Sequence, residues 1–84
     1  MPNPFNPSTT IKYSIAQDAD VSLVVYDVSG RRVRTLVNTH QRADVYKMAW
    51  NGLNDQGGRV ASGVYFYKLV AGKFVETRKM LLLK

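Results

Sequence analysis

Few residues in this sequence have side chains that could carry chemistry. There is one histidine (His40), one glutamate (Glu76), five aspartates (Asp18, Asp20, Asp27, Asp44 and Asp55) and no cysteine. The missing cysteine removes disulfides, thiolate metal ligands and a thiol nucleophile together. His40 lies in a polar stretch between Thr39 and Gln41. A hydrolytic triad needs a base oriented by a buried acid and set beside a nucleophile, and nothing in the spacing around His40 supplies that. Two-carboxylate glycoside hydrolysis needs acids facing each other across a cleft. The acids here fall mostly at turn positions, where an Asp oxygen accepts from nearby backbone N–H groups. Asn51, Asn54 and Asp55 share one glycine-rich stretch and offer the oxygen types that Ca²⁺ takes, with too few carboxylates for a tight site. An internal Lys–Asn crosslink would need an acid beside a buried lysine. Lys12, Lys47 and Lys68 fall on strand-like segments, but Glu76 is the one acid outside the turns. These residues predict no catalysis, no cofactor and no metal.

Binding chemistry has more to draw on. The chain carries 12 Lys and Arg against 6 acids, a formal charge of +6. That balance permits contact with nucleic acid, acidic lipid or acidic glycan. The basic residues are scattered, apart from Arg31-Arg32-Val33-Arg34 and Arg78-Lys79, which reads as a solvated surface without a nucleic-acid partner. Five tyrosines and one tryptophan are present. Packing between strands accounts for most aromatics in a sheet protein, while Tyr26 and Phe66 fall on outward positions suited to a weak glycan platform. No apolar run reaches the ~18–20 residues that would span a membrane. The opening Met1-Pro2-Asn3-Pro4-Phe5 is loop sequence and not an export signal, so the natural chain is expected to extend further on that side.

The elements that would hold these residues are strands. Thr10 to Ile15 alternates polar and apolar, the pattern of a strand with one buried face. Gln17 to Asp20 breaks it as a polar turn, and Val21 to Tyr26 alternates again. Asp27-Val28-Ser29-Gly30 is a turn, with Arg32 to Asn38 as the returning strand. Thr39 to Ala43 reads as a polar loop and Asp44 to Trp50 as a strand with Tyr46, Met48 and Trp50 on one side. Asn51 to Gly58 is the clearest loop. Arg59-Val60-Ala61 suits a short edge strand, Gly63 to Val70 is a strong strand, Ala71-Gly72-Lys73 a tight turn, and Phe74 to Leu83 the last strand. About seven short strands at this spacing predict one all-β domain over residues 1–84, an antiparallel β-sandwich, with a small closed barrel as the alternative. Residues 1–8 carry all three prolines and should run into the domain extended.

Four motifs, in order, together with the chain's finish, bear a resemblance. Asn3-Pro4-Phe5-Asn6-Pro7-Ser8-Thr9-Thr10-Ile11 opens the chain. Val25-Tyr26-Asp27-Val28-Ser29-Gly30-Arg31-Arg32-Val33 follows, then Trp50-Asn51-Gly52, then Ala61-Ser62-Gly63-Val64-Tyr65-Phe66-Tyr67, and the chain finishes Arg78-Lys79-Met80-Leu81-Leu82-Leu83-Lys84. Together they resemble the type A C-terminal sorting domains of type IX (Por) secretion and the related immunoglobulin-like domain of flagellar hook-capping proteins. The resemblance implies an immunoglobulin-like sandwich at the C-terminus of an exported bacterial protein. An upstream cargo domain would be its neighbour in the chain and an outer-membrane translocon its reader. Its destination would be the cell surface or the medium, reached through the periplasm. Asn3, Pro4, Phe5, Gly30, Arg31, Trp50, Gly52, Gly63 and Tyr65 would be structural motif residues. Residues 78–84 would form the recognised tail, read by strand pairing or in a groove.

The alternation also predicts a core of Ile11, Tyr13, Ile15, Val21, Leu23, Val25, Val33, Leu36, Trp50, Tyr65, Tyr67, Leu69 and Leu82. The last strand, apolar on both sides at Met80 to Leu83, is expected in the middle of a sheet. A monomer or a weak edge-strand dimer is expected, since an isolated sandwich leaves strand edges open.

Overall fold

The computed structural model describes residues 8–83, so the expectations for Asn3, Pro4, Phe5 and Lys84 lie outside the described residues. Six strands form: β1 (Thr9–Ile15), β2 (Ala19–Tyr26), β3 (Arg32–Gln41), β4 (Asp44–Trp50), β5 (Gly63–Ala71) and β6 (Phe74–Leu82). β1 and β4 make a two-stranded antiparallel sheet, and the rest make a four-stranded sheet in the order β3-β2-β5-β6. The two sheets share no ladder among the described residues, which makes a sandwich and not a closed barrel.

The core follows from alternation. Ile11, Tyr13 and Ile15 on β1 meet Val21 and Leu23 on β2, Val37 on β3, and Tyr67 and Leu69 on β5. A second cluster joins Val25, Trp50, Tyr65 and Leu82 at the other end. Leu23, Val25, Trp50 and Leu82 are fully shielded from water. Tyr13 stacks on Tyr46 of the neighbouring strand with ring centroids 5.3 Å apart. Its hydroxyl donates to Gln41 at 2.8 Å, so the one polar atom of a buried ring is satisfied.

The structure corrects several expectations. Among the described residues there are six strands rather than seven, because Arg59-Val60-Ala61 folds back on its own loop. Arg59 makes a single bridge to Leu53, and the Val60 N–H donates to the Gly52 carbonyl at 3.0 Å. Thr39 to Gln41 is strand and not loop: Thr39 pairs with Val21, His40 with Asp20 and Gln41 with Ala19. Polar residues continue the strand there because cross-strand pairs hold them, as in the 2.9 Å contact of His40 Nδ1 with Asp20 Oδ1. β2 correspondingly begins at Ala19, inside the stretch read as a turn. β6 ends a sheet instead of lying within one. Leu81 and Leu83 are exposed where a central strand was expected to bury them.

In the core, Val37 is buried while Val33 and Leu36 are half-buried. The β2–β3 register steps from Leu23↔Val37 to Val24↔Thr35. Leu36 is therefore the extra residue of a bulge, and a bulge moves the residues beyond it to the other face.

Turn chemistry places the ends. Asp18, between β1 and β2, accepts from the Ala43 N–H at 2.8 Å, which ties that turn to the β3–β4 crossing. Tyr46 Oη donates to the Arg42 carbonyl at the same crossing, 2.6 Å away.

Candidate functional site

Two loops at the Trp50 end are built alike. In the first, the Asp27 N–H donates to the Arg31 carbonyl and the Gly30 N–H to the Asp27 carbonyl, both at 3.0 Å. Asp27 Oδ1 accepts from the N–H groups of Ser29 at 2.9 Å and Arg31 at 3.0 Å. In the second, the Asn54 N–H donates to the Gly58 carbonyl and the Gly57 N–H to the Asn54 carbonyl. Asn54 Oδ1 accepts from the N–H groups of Gln56 and Gly58. Each loop is five residues with an Asx acceptor first and a glycine fourth. Gly30 has φ 86° and Gly57 φ 83°, a conformation that a side chain disfavours. The sequences DVSGR and NDQGG look unrelated until the acceptor and the glycine are aligned.

The second loop also seals an edge. The Asp55 N–H donates to the Val33 carbonyl at 2.9 Å, and Asp55 Oδ1 accepts from the Thr35 N–H at 2.9 Å. Arg34 Nη1 donates to the Asn54 carbonyl at 3.1 Å. The Asn51, Asn54 and Asp55 oxygens considered for Ca²⁺ are thus engaged by backbone N–H groups, Asn51 through Leu53 at 3.2 Å. No group of three metal-binding side chains occurs among the described residues.

Asp27 gains a third bond, from Ser29 Oγ at 2.6 Å. Hydrogen bonds from Ser29 and Arg31 hold its carboxyl below the usual carboxylate range. A folded pKa below the unfolded value contributes stability that is present above about pH 4 and is lost as pH falls through the folded value. Asp27→Asn should keep the turn, since Asn54 does the same work in the twin loop, and should flatten the acid limb of stability. Urea unfolding followed between pH 2 and 6 checks this. An unchanged acid limb would remove Asp27 from the account.

Behind the loops lies the Trp50 node. Trp50 Nε1 donates to the Leu53 carbonyl at 2.9 Å, and its ring meets Tyr65 edge-on at 5.0 Å. Tyr65 Oη donates to the Ala61 carbonyl at 2.6 Å, four residues upstream. This is the tyrosine-corner arrangement of sandwich domains. Burial pushes the Tyr65 hydroxyl pKa upward. Tyr65→Phe should cost about 1 kcal/mol, the net worth of one such bond, with the ring packing kept. Equilibrium unfolding would measure it, and a neutral result would mean that water replaces the hydroxyl without loss. Gly52 is buried beside Trp50, and Gly63 opens β5 opposite Leu82. Arg31 is exposed and contributes its backbone to the Asp27 turn.

The sequence-predicted tail residues divide by face. On β6, Phe74, Glu76, Arg78, Met80 and Leu82 share the inner face with Tyr65, Tyr67 and Leu69. Leu82 is buried and Met80 half-buried, both against the second core cluster. Arg78 reaches back to Glu76, with Nε to Oε1 at 3.2 Å and Nη2 to Oε2 at 3.3 Å. That carboxylate raises the proton affinity of the guanidinium. Lys79 and Leu81 lie on the outer face and are exposed, as is Leu83 beyond the strand. The structure therefore splits residues 78–83 into core packing and exposed surface. The alternation of β6 carried this division, once its partner strand was known.

The outer face of the four-stranded sheet carries one row that the sequence did not assemble: Arg32, Tyr26, Phe66 and Lys79 are successive cross-strand partners. His40 and Asp20 meet on the surface, with side chains 63% and 94% exposed, an ion-pair geometry open to water and without a buried orienting acid.

A two-sheet antiparallel sandwich with a tyrosine corner and a buried tryptophan between the sheets defines the immunoglobulin-like class. A family model for the FlgD Ig-like domain matches residues 6–73. The chain belongs to that family. No curated protein matches it.

Proposed function

We propose that this chain is a non-catalytic immunoglobulin-like module of an exported bacterial protein, joined to a cargo domain upstream. In this reading the outer face of its last strand is an address for the type IX outer-membrane translocon, and its place of work is the cell surface or the medium. Family membership supports the structural half of the reading. The exposed Lys79, Leu81 and Leu83 on and just past an edge strand support the address, since an edge with free backbone groups can be read by strand addition.

The test fuses the domain to a reporter with an ordinary export signal, in a bacterium with a working type IX system. A Lys79→Glu/Leu81→Asp double variant alters only exposed side chains. The intact fusion should reach the surface while the folded variant stays in the periplasm. If intact and variant fusions both remain in the periplasm, the module is structural only. The Arg32-Tyr26-Phe66-Lys79 row favours a second reading as a glycan-binding appendage, and glycan-array binding lost in Tyr26→Ala would support it.

A further inference from the structure

The two edges of the four-stranded sheet are protected unequally. On β3, Asp55 occupies the outward groups of Val33 and Thr35, and two register shifts interrupt the strand. Pairing of β6 with β5 runs without a shift from Gly63↔Leu82 to Ala71↔Phe74. β6 is nine residues, FVETRKMLL, with no proline or glycine. Phe74, Val75 and Leu81 are 52%, 56% and 56% exposed. A long edge paired without a bulge and without proline offers its outward backbone groups to another strand, here with apolar residues at both ends and Glu76, Thr77, Arg78 and Lys79 in the middle.

Parity decides which backbone groups face outward. The Gly72 N–H donates to the Asp20 carbonyl at 3.2 Å. In an antiparallel ladder every second pair exchanges bonds, so Val70, Lys68 and Phe66 turn their backbone groups to β2, and Leu69, Tyr67 and Tyr65 turn theirs to β6. Their β6 partners are Glu76, Arg78 and Met80. That leaves the N–H and C=O groups of Val75, Thr77, Lys79 and Leu81 pointing away from the sheet.

A second copy pairing antiparallel must match outward residues with outward residues. With Thr77 opposite Thr77, Val75 meets Lys79, Phe74 meets Met80, and Glu76 meets Arg78 twice. Moving the axis by one residue either way, a slide of two, sets Glu76 against Glu76 or Arg78 against Arg78, and like charges directly opposite destabilise. Moving the axis a second residue toward the C-terminus sets Lys79 against Lys79, and moving it a second residue toward Phe74 shortens the overlap to three residues of β6.

We propose that the chain forms a two-fold homodimer through β6, with Thr77 on the axis and reciprocal Glu76–Arg78 pairs across it. The two four-stranded sheets then join into one of eight strands. Charge complementarity selects the second copy as occupant, because the strand is its own complement in this register alone.

Sedimentation velocity over a range of concentrations from about 1 µM to 1 mM should show the wild-type chain passing to dimer. Glu76→Arg and Arg78→Glu should each weaken the dimer roughly tenfold or more, with unchanged circular dichroism. An equimolar mixture of the two should recover it as a heterodimer, since one variant presents two arginines and the other two glutamates. Thr77→Cys in this cysteine-free chain should oxidise to a disulfide dimer, because hydrogen-bonded partners lie about 5.5 Å apart at Cα, within disulfide reach. A wild-type chain that stays monomeric at 1 mM overturns the proposal. So do charge variants that dimerise like wild type, a mixture that fails to recover, or a Thr77→Cys chain that resists oxidation. The dimer and the proposed address use the same edge of β6, so the translocon would read the monomer; the two readings are separated by scoring dimerisation at Glu76 and Arg78 and export at Lys79 and Leu81.

Discussion

Replacing Trp50 with alanine should leave the domain largely unfolded at room temperature. The indole is completely buried at the end of β4, where it closes the sandwich over Val25, Tyr65 and Leu82. Removing a buried aromatic ring of this kind costs about 3–5 kcal/mol. A small domain has a total stability of only about 5–15 kcal/mol, and one without disulfides lies toward the low end. The change also leaves the Leu53 carbonyl without its donor and takes from Tyr65 its edge-on partner. Far-ultraviolet circular dichroism with urea should show the midpoint driven close to zero denaturant. A loss under about 1 kcal/mol would mean that the second cluster repacks, and that Trp50 is not the closing element.

Deleting residues 78–84 should have an effect at least as large, for a different reason. The deletion takes Leu82, fully buried, and Met80, half-buried, from the same cluster. It also removes the ladder from Tyr67↔Arg78 to Gly63↔Leu82, so Tyr65 and Tyr67 lose the strand beside them. One buried leucine is worth about 2–5 kcal/mol, before the lost strand pairing is considered. The truncated chain should show no cooperative thermal transition. Lys79→Glu changes only an exposed side chain and should stay within about 0.5 kcal/mol of the parent. A truncated chain that melts cooperatively would show that β6 is dispensable to the fold. An export defect on truncation would otherwise report unfolding as readily as a lost address, which is why the export test rests on substitutions at exposed positions.

Much of this architecture is legible in the sequence wherever one face of a strand is buried. Ile11, Tyr13 and Ile15 announce themselves by strict alternation, and on β5 the single Lys68 among apolar residues marks the wetter face and turns Tyr65, Tyr67 and Leu69 inward; all six are buried. Legibility fails where a residue's face depends on a partner strand. Val33, Leu36 and Val37 are interchangeable by type, and only the bulge opposite Leu23 and Val24 decides that Val37 goes inward. Val24 is buried although it alternates with the core. It lies on the outer face between Thr35 and Lys68, and lysine stems commonly cover such positions. The apolar run Met80 to Leu83 suggests a central strand, but composition alone does not separate an edge from a centre. Among the motif residues, Trp50 and Tyr65 are buried and hydrogen-bonded to the Leu53 and Ala61 carbonyls. Asp27, Asn54 and Asp55 do comparable work that hydrophobic patterning cannot register, since turn and edge capping depend on where backbone N–H groups point.

The pairing of β1 with β4 has a kinetic meaning. Thr9 finds its partner in Trp50, so the first strand must wait for most of the chain before its backbone is satisfied. Loops that long must be closed before their contacts contribute, and sandwiches of such connectivity fold in milliseconds to seconds rather than microseconds. A chain emerging with its N-terminus first, from a ribosome or a narrow pore, therefore leaves β1 unpaired and solvated until β4, from Asp44 to Trp50, has passed. The second core cluster cannot close until Leu82 arrives. Threading and folding are in this way separated in time by the order of the strands.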